Sequence, residues 1–335
     1  MTTNKAWILT RRPQGSVSQD DLAYRELPMP SVGDGQILVR NLLLSLDPTN
    51  RLWMSDRDQY LPPVGIEDVM RGVTIGVVEE SRSDRFAPGD FVQPADGGWQ
   101  HYVVADAKTS RRIQVDPAIE LTAQMSILGV TGLTAYFGLL DICAPKAGET
   151  IVISAAAGAV GSIVGQMAKL KGCRVIGIAG GPAKCAWLVD ELGFDGAIDY
   201  KSEDVGAALD RLCPDGIDMS FENVGGQIMD ATFSRLRTHG RMAVCGLISS
   251  YNQEGPIAGP TDFGRILMNR LTVRGFVVID YLSRTKEATA DLTQWIKAGQ
   301  IKWKDHVIDG LEHAPAALDR LFSGQHDGKL MIRMQ

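Results

Sequence analysis

The chain has no apolar run approaching the ~20 residues that a membrane span requires. Its first stretch, MTTNKAWILTRR, lacks the charged-then-apolar order and cleavage site of a signal peptide, so a cytoplasmic location is expected. Positive charge is not in excess either. Lys and Arg number 34 against 40 Asp and Glu, a net charge of −6 with no basic run, which disfavours nucleic acid and anionic membrane as partners. The five cysteines, Cys143, Cys173, Cys185, Cys213 and Cys245, make an odd total without a C-x-x-C pair, so neither a disulfide framework nor a zinc knuckle is expected. The five histidines, His101, His239, His306, His313 and His326, are scattered, and local spacing builds no metal site. At 335 residues, 44% hydrophobic and 22% charged, the chain has the composition of a soluble protein of two domains with substantial cores.

Its most informative stretch is Thr150 to Lys184, TIVISAAAGAVGSIVGQMAKLKGCRVIGIAGGPAK. Ile151 to Ser154 is a β-branched run suited to a buried strand. Ala156-x-Gly158-x-x-Gly161 then follows the G-x-G-x-x-G spacing with alanine in first place. The second glycine lets backbone approach a pyrophosphate and the third lets helix pack on strand. A helix from about Ala159 offers unpaired N–H groups and a positive dipole end to phosphates. Ile163, Val164, Met167, Ala168 and Leu170 form its apolar stripe, and Arg174 to Ala179 reads as the next parallel strand. This is a dinucleotide-binding βαβ unit. Where an NAD site carries an acid after the second strand, this chain has Ala179-Gly180-Gly181-Pro182-Ala183-Lys184, which points to NADP. Lys184 has two readings: a point charge for a 2′-phosphate, or a solvated residue in the first turn of a helix.

Residues 1 to about 125 lack helical periodicity. The runs Ala6 to Leu9, Gln36 to Leu46, Val73 to Glu79, Phe91 to Gln93 and Trp99 to Val104, punctuated by proline and glycine, read as a β-rich, partly closed domain. From about Ala123 a helical spacing begins (Met125, Leu128, Leu133, Tyr136, Phe137). Beyond the fingerprint the expected order is helix Cys185 to Leu192, strand Gly196 to Asp199, a helix from Ser202 with Glu203 and Asp204 in its first turn, and strand Ile217 to Glu222. Helix Ile228 to Leu236, strand Arg241 to Cys245 and strand Leu271 to Ile279 follow, giving the roughly six strands of a doubly wound sheet. The last strand is long and apolar, and an edge of that kind is either covered or paired with its copy, so a homodimer through Leu271 to Ile279 is expected. The tail reads as helix Leu292 to Ala298, a strand around His306 to Ile308, helix Ala314 to Ser323 and strand Leu330 to Met334, returning to the first domain.

The stretch MSILGVTGLTAYFGLLDICAPKAGETIVISAAAGAVGSIVGQMAKLKGC, with FENVGG, VCGLISSYN and LTVRGFVV, resembles the zinc-independent medium-chain dehydrogenases/reductases of the prostaglandin reductase, leukotriene B4 dehydrogenase and alkenal double-bond reductase branch. The resemblance runs from about Leu46 to the C-terminus. It implies an α/β protein with a GroES-like domain over 1–125, completed by 300–335, and a Rossmann doubly wound parallel-sheet domain over 126–299, with a cleft between them. It also implies a homodimer joined through the last Rossmann strand, and NADPH held by Thr134, Gly158, Ala159, Val160, Gly181, Lys184, Tyr200, Asn223, Cys245 and Tyr251. Residue chemistry leaves plainer roles open: Tyr200 as a sheet cap, Asn223 as a turn former and Cys245 as core. Two positions depart from the branch. Asp47-Pro48-Thr49-Asn50-Arg51 stands where relatives have Asp-Pro-Tyr-Met-Arg, removing a pocket tyrosine, and His326 aligns with an asparagine that touches the nicotinamide ribose. The Gly-His-Glu of zinc-dependent relatives is also missing at Arg71-Gly72-Val73-Thr74.

Without a metal ligand set, the expected chemistry is hydride transfer from NADPH to the β-carbon of an α,β-unsaturated aldehyde or ketone. The charge that develops on the carbonyl oxygen needs a donor. Tyr251 is the catalytic candidate, alone or with a ribose hydroxyl; its alternative role is to order a cofactor loop. Quinone reduction by NADPH and a catalytically silent NADPH-binding protein are the competing readings.

Overall fold

The computed structural model describes residues 3–334, which form two compact units. One runs to Met125 and resumes at Asp305; the other is Ser126–Lys304.

The first unit is built of short strands with alternating burial. β1 (Asn4–Leu9) and β2 (Leu22–Leu27) form an antiparallel ribbon. β3 (Gln36–Ser45) is the spine of a seven-stranded sheet, with Ile37, Val39, Leu43 and Leu44 buried. The helix α1 (Thr49–Trp53) follows, then β4 (Thr74–Ser81), β5 (Phe91–Gln93), β6 (Tyr102–Asp106) and β7 (Arg111–Arg112). β3 pairs antiparallel with both β4 and β6. The expected strand at Trp99 begins instead at Tyr102, because Trp99 is wholly buried in the core with Leu44, Trp53 and Met70.

The second unit opens with α2 (Val130–Phe137) and alternates thereafter: β8 (Thr150–Ile153), α3 (Ala159–Leu170), β9 (Arg174–Ala179), α4 (Pro182–Ala186), β10 (Gly196–Asp199), α5 (Val205–Leu212), β11 (Ile217–Glu222), α6 (Gly226–Phe233), β12 (Leu236–Val244), α7 (Arg265–Met268), β13 (Thr272–Gly275) and α8 (Thr285–Lys297). The six strands pair in parallel in the order β10-β9-β8-β11-β12-β13. This is the doubly wound order with its switch point between β8 and β11, where open sheets bind ligands beyond the carboxyl ends of the strands.

Several boundaries differ from expectation for identifiable reasons. α4 starts at Pro182 rather than Cys185, since proline is pre-organised for the first turn after the Gly181 cap. α5 starts at Val205 because Asp204 is its cap, accepting from the Ala207 N–H at 2.7 Å. The expected strand Leu271 to Ile279 is cut to Thr272–Gly275, and Val278–Arg284 winds into a 3-10 helix. Phe276 turns edge-on to Phe221, and Tyr281 stacks on Phe137 at 4.6 Å, so the chain leaves the sheet to pack its half-buried aromatics on these rings.

The tail belongs to the first unit. β14 (Asp305–Asp309), α9 (Ala314–Ser323) and β15 (Lys329–Arg333) place β15 antiparallel on β3 and β14 parallel on β15. Lys329, 2% exposed, donates to the Leu46 carbonyl at 2.9 Å and pairs with Asp47. Among the described residues no helix is long and apolar enough to cross a membrane.

Candidate active site

The βα turn after β8 is built by close approach. A Cβ on Gly161 would lie 2.6 Å from the Ala155 carbonyl oxygen and 2.8 Å from Ala156 Cα, so only glycine lets α3 sit this near the strand end. Gly158 caps α3 with no side-chain acceptor, and Ala159 and Val160 form its first turn. The N–H groups and dipole of this long helix therefore face whatever lies beyond the strand, and the cradle fits a dinucleotide pyrophosphate.

Apart from Thr134, the remaining predicted residues fall into two groups at strand ends. Beyond β9 and β10, the Tyr200 ring and the Lys201 chain crowd Gly180, each about 3 Å from where a Cβ would stand. Asp199 Oδ1 accepts from the Gly181 N–H at 2.8 Å and from the Lys201 N–H at 3.1 Å. These backbone donors hold its carboxyl below the usual range. An acid does reach this corner, then, but from β10, and as a clamp for the loop. Tyr200 is exposed, and Lys184 is half-buried on α4. Lys201 is a second cation here that the sequence reading passed over, although its position next to Tyr200 was visible.

Beyond β11 and β12, the Asn223 N–H donates to Ser154 Oγ and its Nδ2 to the Ser154 carbonyl, both at 2.7 Å. The Leu247 N–H donates to the Tyr251 hydroxyl oxygen at 3.1 Å, and a Cβ on Gly246 would lie between that hydroxyl and the Asn223 carbonyl. Asn223, Gly246 and Tyr251 are thus brought together. Cys245 heads the same loop, and burial, followed by the Glu222 carboxylate, pushes its thiol up to about 12, so it stays protonated near neutral pH. Thr134 stands on α2, which packs against α3, and its hydroxyl donates to Val130 O within its own helix.

The two departures noted in the sequence lie in the first unit. The half-buried Asp47 and the buried Asn50 and Arg51 form a knot. Lys329 and the Ser45 hydroxyl serve the Asp47 carboxylate, Asn50 Oδ1 accepts the Asp47 N–H, and Arg51 donates to the Pro13 and Gly15 carbonyls. Thr49 presents its hydroxyl 2.5 Å from that of Tyr60, so a phenol reaches this helix from eleven residues on. His326 is half-buried, with Nδ1 3.1 Å from the Arg320 carbonyl.

Two family profiles match: one described as the N-terminal domain of oxidoreductase over residues 5–113, the other as zinc-binding dehydrogenase over 159–298. Among the described residues no group of three or more His, Cys, Asp or Glu could hold a metal ion. The chain is 40% identical to the NADPH-dependent curcumin reductase of Escherichia coli, covering 99% of this chain and 97% of that protein. It is 38% identical to the NADP(+)-dependent 2-alkenal reductase of Nicotiana tabacum, covering 98% and 97%. The crystal structure of CurA in complex with NADPH from Vibrio vulnificus superposes with a TM-score of 0.94 at 41% identity, covering 99% of both chains. With its glycine cradle, its sheet order and these likenesses over nearly its whole length, the chain belongs to the zinc-independent medium-chain dehydrogenases/reductases, in the prostaglandin and alkenal reductase branch of that oxidoreductase family.

Proposed function

We propose that the protein reduces the carbon–carbon double bond of α,β-unsaturated aldehydes and ketones, using NADPH and no metal. The observation that carries this reading is the Tyr251 hydroxyl. It lies at the end of a doubly wound sheet and accepts the Leu247 N–H at 3.1 Å. That bond engages a lone pair of the phenol oxygen and fixes the hydroxyl at the carboxyl end of β12, beside Gly246 and Asn223.

NADPH, when bound, supplies a hydride for the β-carbon. Gly158, Ala159 and Val160 would hold its pyrophosphate at the α3 N-terminus. Gly181, Lys184 and Tyr200 would hold the 2′-phosphate side, while Thr134, Asn223, Cys245 and Tyr251 would hold the nicotinamide half. Tyr251 donates to the carbonyl oxygen as it gains enolate charge, and the α-carbon then takes a proton from water. The net change is one hydride and one proton added across the double bond.

The homodimer belongs to the same reading. β13 ends the sheet with all four residues exposed, beside Phe263, Leu267 and Met268, each about two-thirds or more exposed. An unpaired strand edge with exposed apolar side chains just before it in the chain is the surface that a second copy would cover. Light scattering coupled to size exclusion tests it: Val273→Lys with Leu267→Glu should yield monomers.

The activity is tested by NADPH consumption on a panel of 2-alkenals, enones and a benzoquinone. The reading expects faster turnover of the enals and enones. Turnover of the quinone alone, or NADPH binding without consumption of any substrate, would refute it.

A further inference from the structure

Glu222 is wholly buried at the end of β11, next to a residue assigned to the cofactor. One of its oxygens, Oε1, accepts from the Ser154 hydroxyl at 3.0 Å, the Val224 N–H at 2.6 Å and the Gly225 N–H at 2.7 Å. The other, Oε2, is buried with no hydrogen-bond partner among the described residues. Its backbone carbonyl accepts from the Cys245 and Gly246 N–H groups. Gly225, at φ +84°, makes a turn that other residues adopt only under strain, and a single carboxylate oxygen serves the inner N–H groups of that turn. The connections continue outward. Ser154 Oγ takes the Asn223 N–H while donating to Glu222, and the Val224 carbonyl accepts from both the N–H and the hydroxyl of Ser249, in the loop that ends at Tyr251.

We infer that Glu222 is the positioning residue of the nicotinamide half of the site: an internal acceptor that locks the end of β8, the turn after β11 and the loop after β12 into one arrangement, so that Asn223 and Tyr251 face the cofactor together. The inference rests on the NADPH reading above. Glu222 touches no reacting atom; it acts through Asn223 and the 246–251 loop. Burial raises its carboxyl above the usual range against the pull of its N–H donors, which suits an acceptor that works without a counter-charge. The position in the sheet makes the effect directional. β9 and β10 carry the adenosine end of a dinucleotide, and β11 and β12 lie across the switch point from them. A lesion at Glu222 should therefore be felt by the whole dinucleotide and not by its adenosine bisphosphate half.

The test compares binding of NADPH and of 2′,5′-ADP by calorimetry. Glu222→Ala, which strands three donors, should weaken NADPH by about tenfold or more while 2′,5′-ADP stays within about twofold. Glu222→Gln keeps an acceptor oxygen and should bind NADPH within about threefold of the wild type. Should Glu222→Ala not fold, Ser154→Ala carries the same comparison with a smaller loss. Equal losses for both ligands, no loss for either, or a Gln variant as weak as the Ala variant would each overturn the inference. Wild-type protein that fails to bind NADPH would overturn the underlying reading with it, an outcome distinct from intact wild-type binding with indifferent variants.

Discussion

Gly161 and Gly158 sit three residues apart in one motif, yet the structure assigns them separable costs. A methyl at position 161 would press on the Ala155 carbonyl oxygen at 2.6 Å and on Ala156 Cα at 2.8 Å. Both are backbone atoms, so relief requires α3 to shift bodily from the sheet. Contacts this short with backbone put the overpacking cost in the upper part of its usual range, about 2–3 kcal/mol, and the helix-propensity gain of Ala over Gly returns roughly 0.8–1.0, leaving a net loss of about 1–2 kcal/mol. For a unit of this size that is a melting point lower by about 2–8 °C. A methyl at position 158 would meet only the Ala155 oxygen at 3.0 Å, and the φ of −77° there suits any residue. Its expected cost falls on the approach of the pyrophosphate, weakening NADPH by about tenfold with a smaller thermal shift. Differential scanning calorimetry and cofactor titration of Gly161→Ala and Gly158→Ala read the two effects apart. A Gly161→Ala protein that melts no lower than wild type would refute the close-packing argument.

Lys184→Ala should weaken NADPH by about tenfold to a hundredfold, equivalent to ~1.5–3 kcal/mol, and leave NADH nearly unchanged; equal losses would make Lys184 structural. Tyr251→Phe should lower kcat on an enone by at least about tenfold, with a ceiling near ~3–4 kcal/mol, at little cost to NADPH affinity; unchanged single-turnover hydride transfer would remove Tyr251 from the chemistry. Asp195 binds Lys169 and the Val175 N–H, and although burial opposes it, these partners hold its carboxyl below the usual range. A depressed folded pKa contributes stability above the unfolded value of about 3.9 and loses it as pH falls through the folded value. Asp195→Asn should therefore destabilise the protein at pH 7 and much less near pH 3, as read by denaturant unfolding; an equal effect at both would contradict the linkage.

Several strands of the second unit were legible as short apolar runs bounded by glycine or a charged turn, and Arg174–Ala179, Gly196–Asp199 and Ile217–Glu222 match the reading residue for residue. What was misread follows from tertiary packing. α1 is too short to show a helical period, and β2, with Arg25 and Glu26 exposed, has too weak an apolar face to be recognised alone. The apolar run after Gly275 looked like more strand because its aromatics pack against Phe137 and Phe221 rather than in the sheet. In the site, the glycine spacing and the missing acid after β9 were local signals. The hub at Glu222 was not, since its donors come from residues 154, 224 and 225, which only the parallel pairing of β8 with β11 brings together.

The central claim is hydride delivery to the β-carbon of an enone without metal. It is tested most directly with NADPH deuterated at the transferring position, an enone substrate and a chelator present throughout. The account predicts a product deuterated at the β-carbon, with the α-hydrogen drawn from solvent. Deuterium on the carbonyl carbon of an alcohol product, a β-hydrogen taken from solvent, or loss of all turnover in the chelator would contradict it.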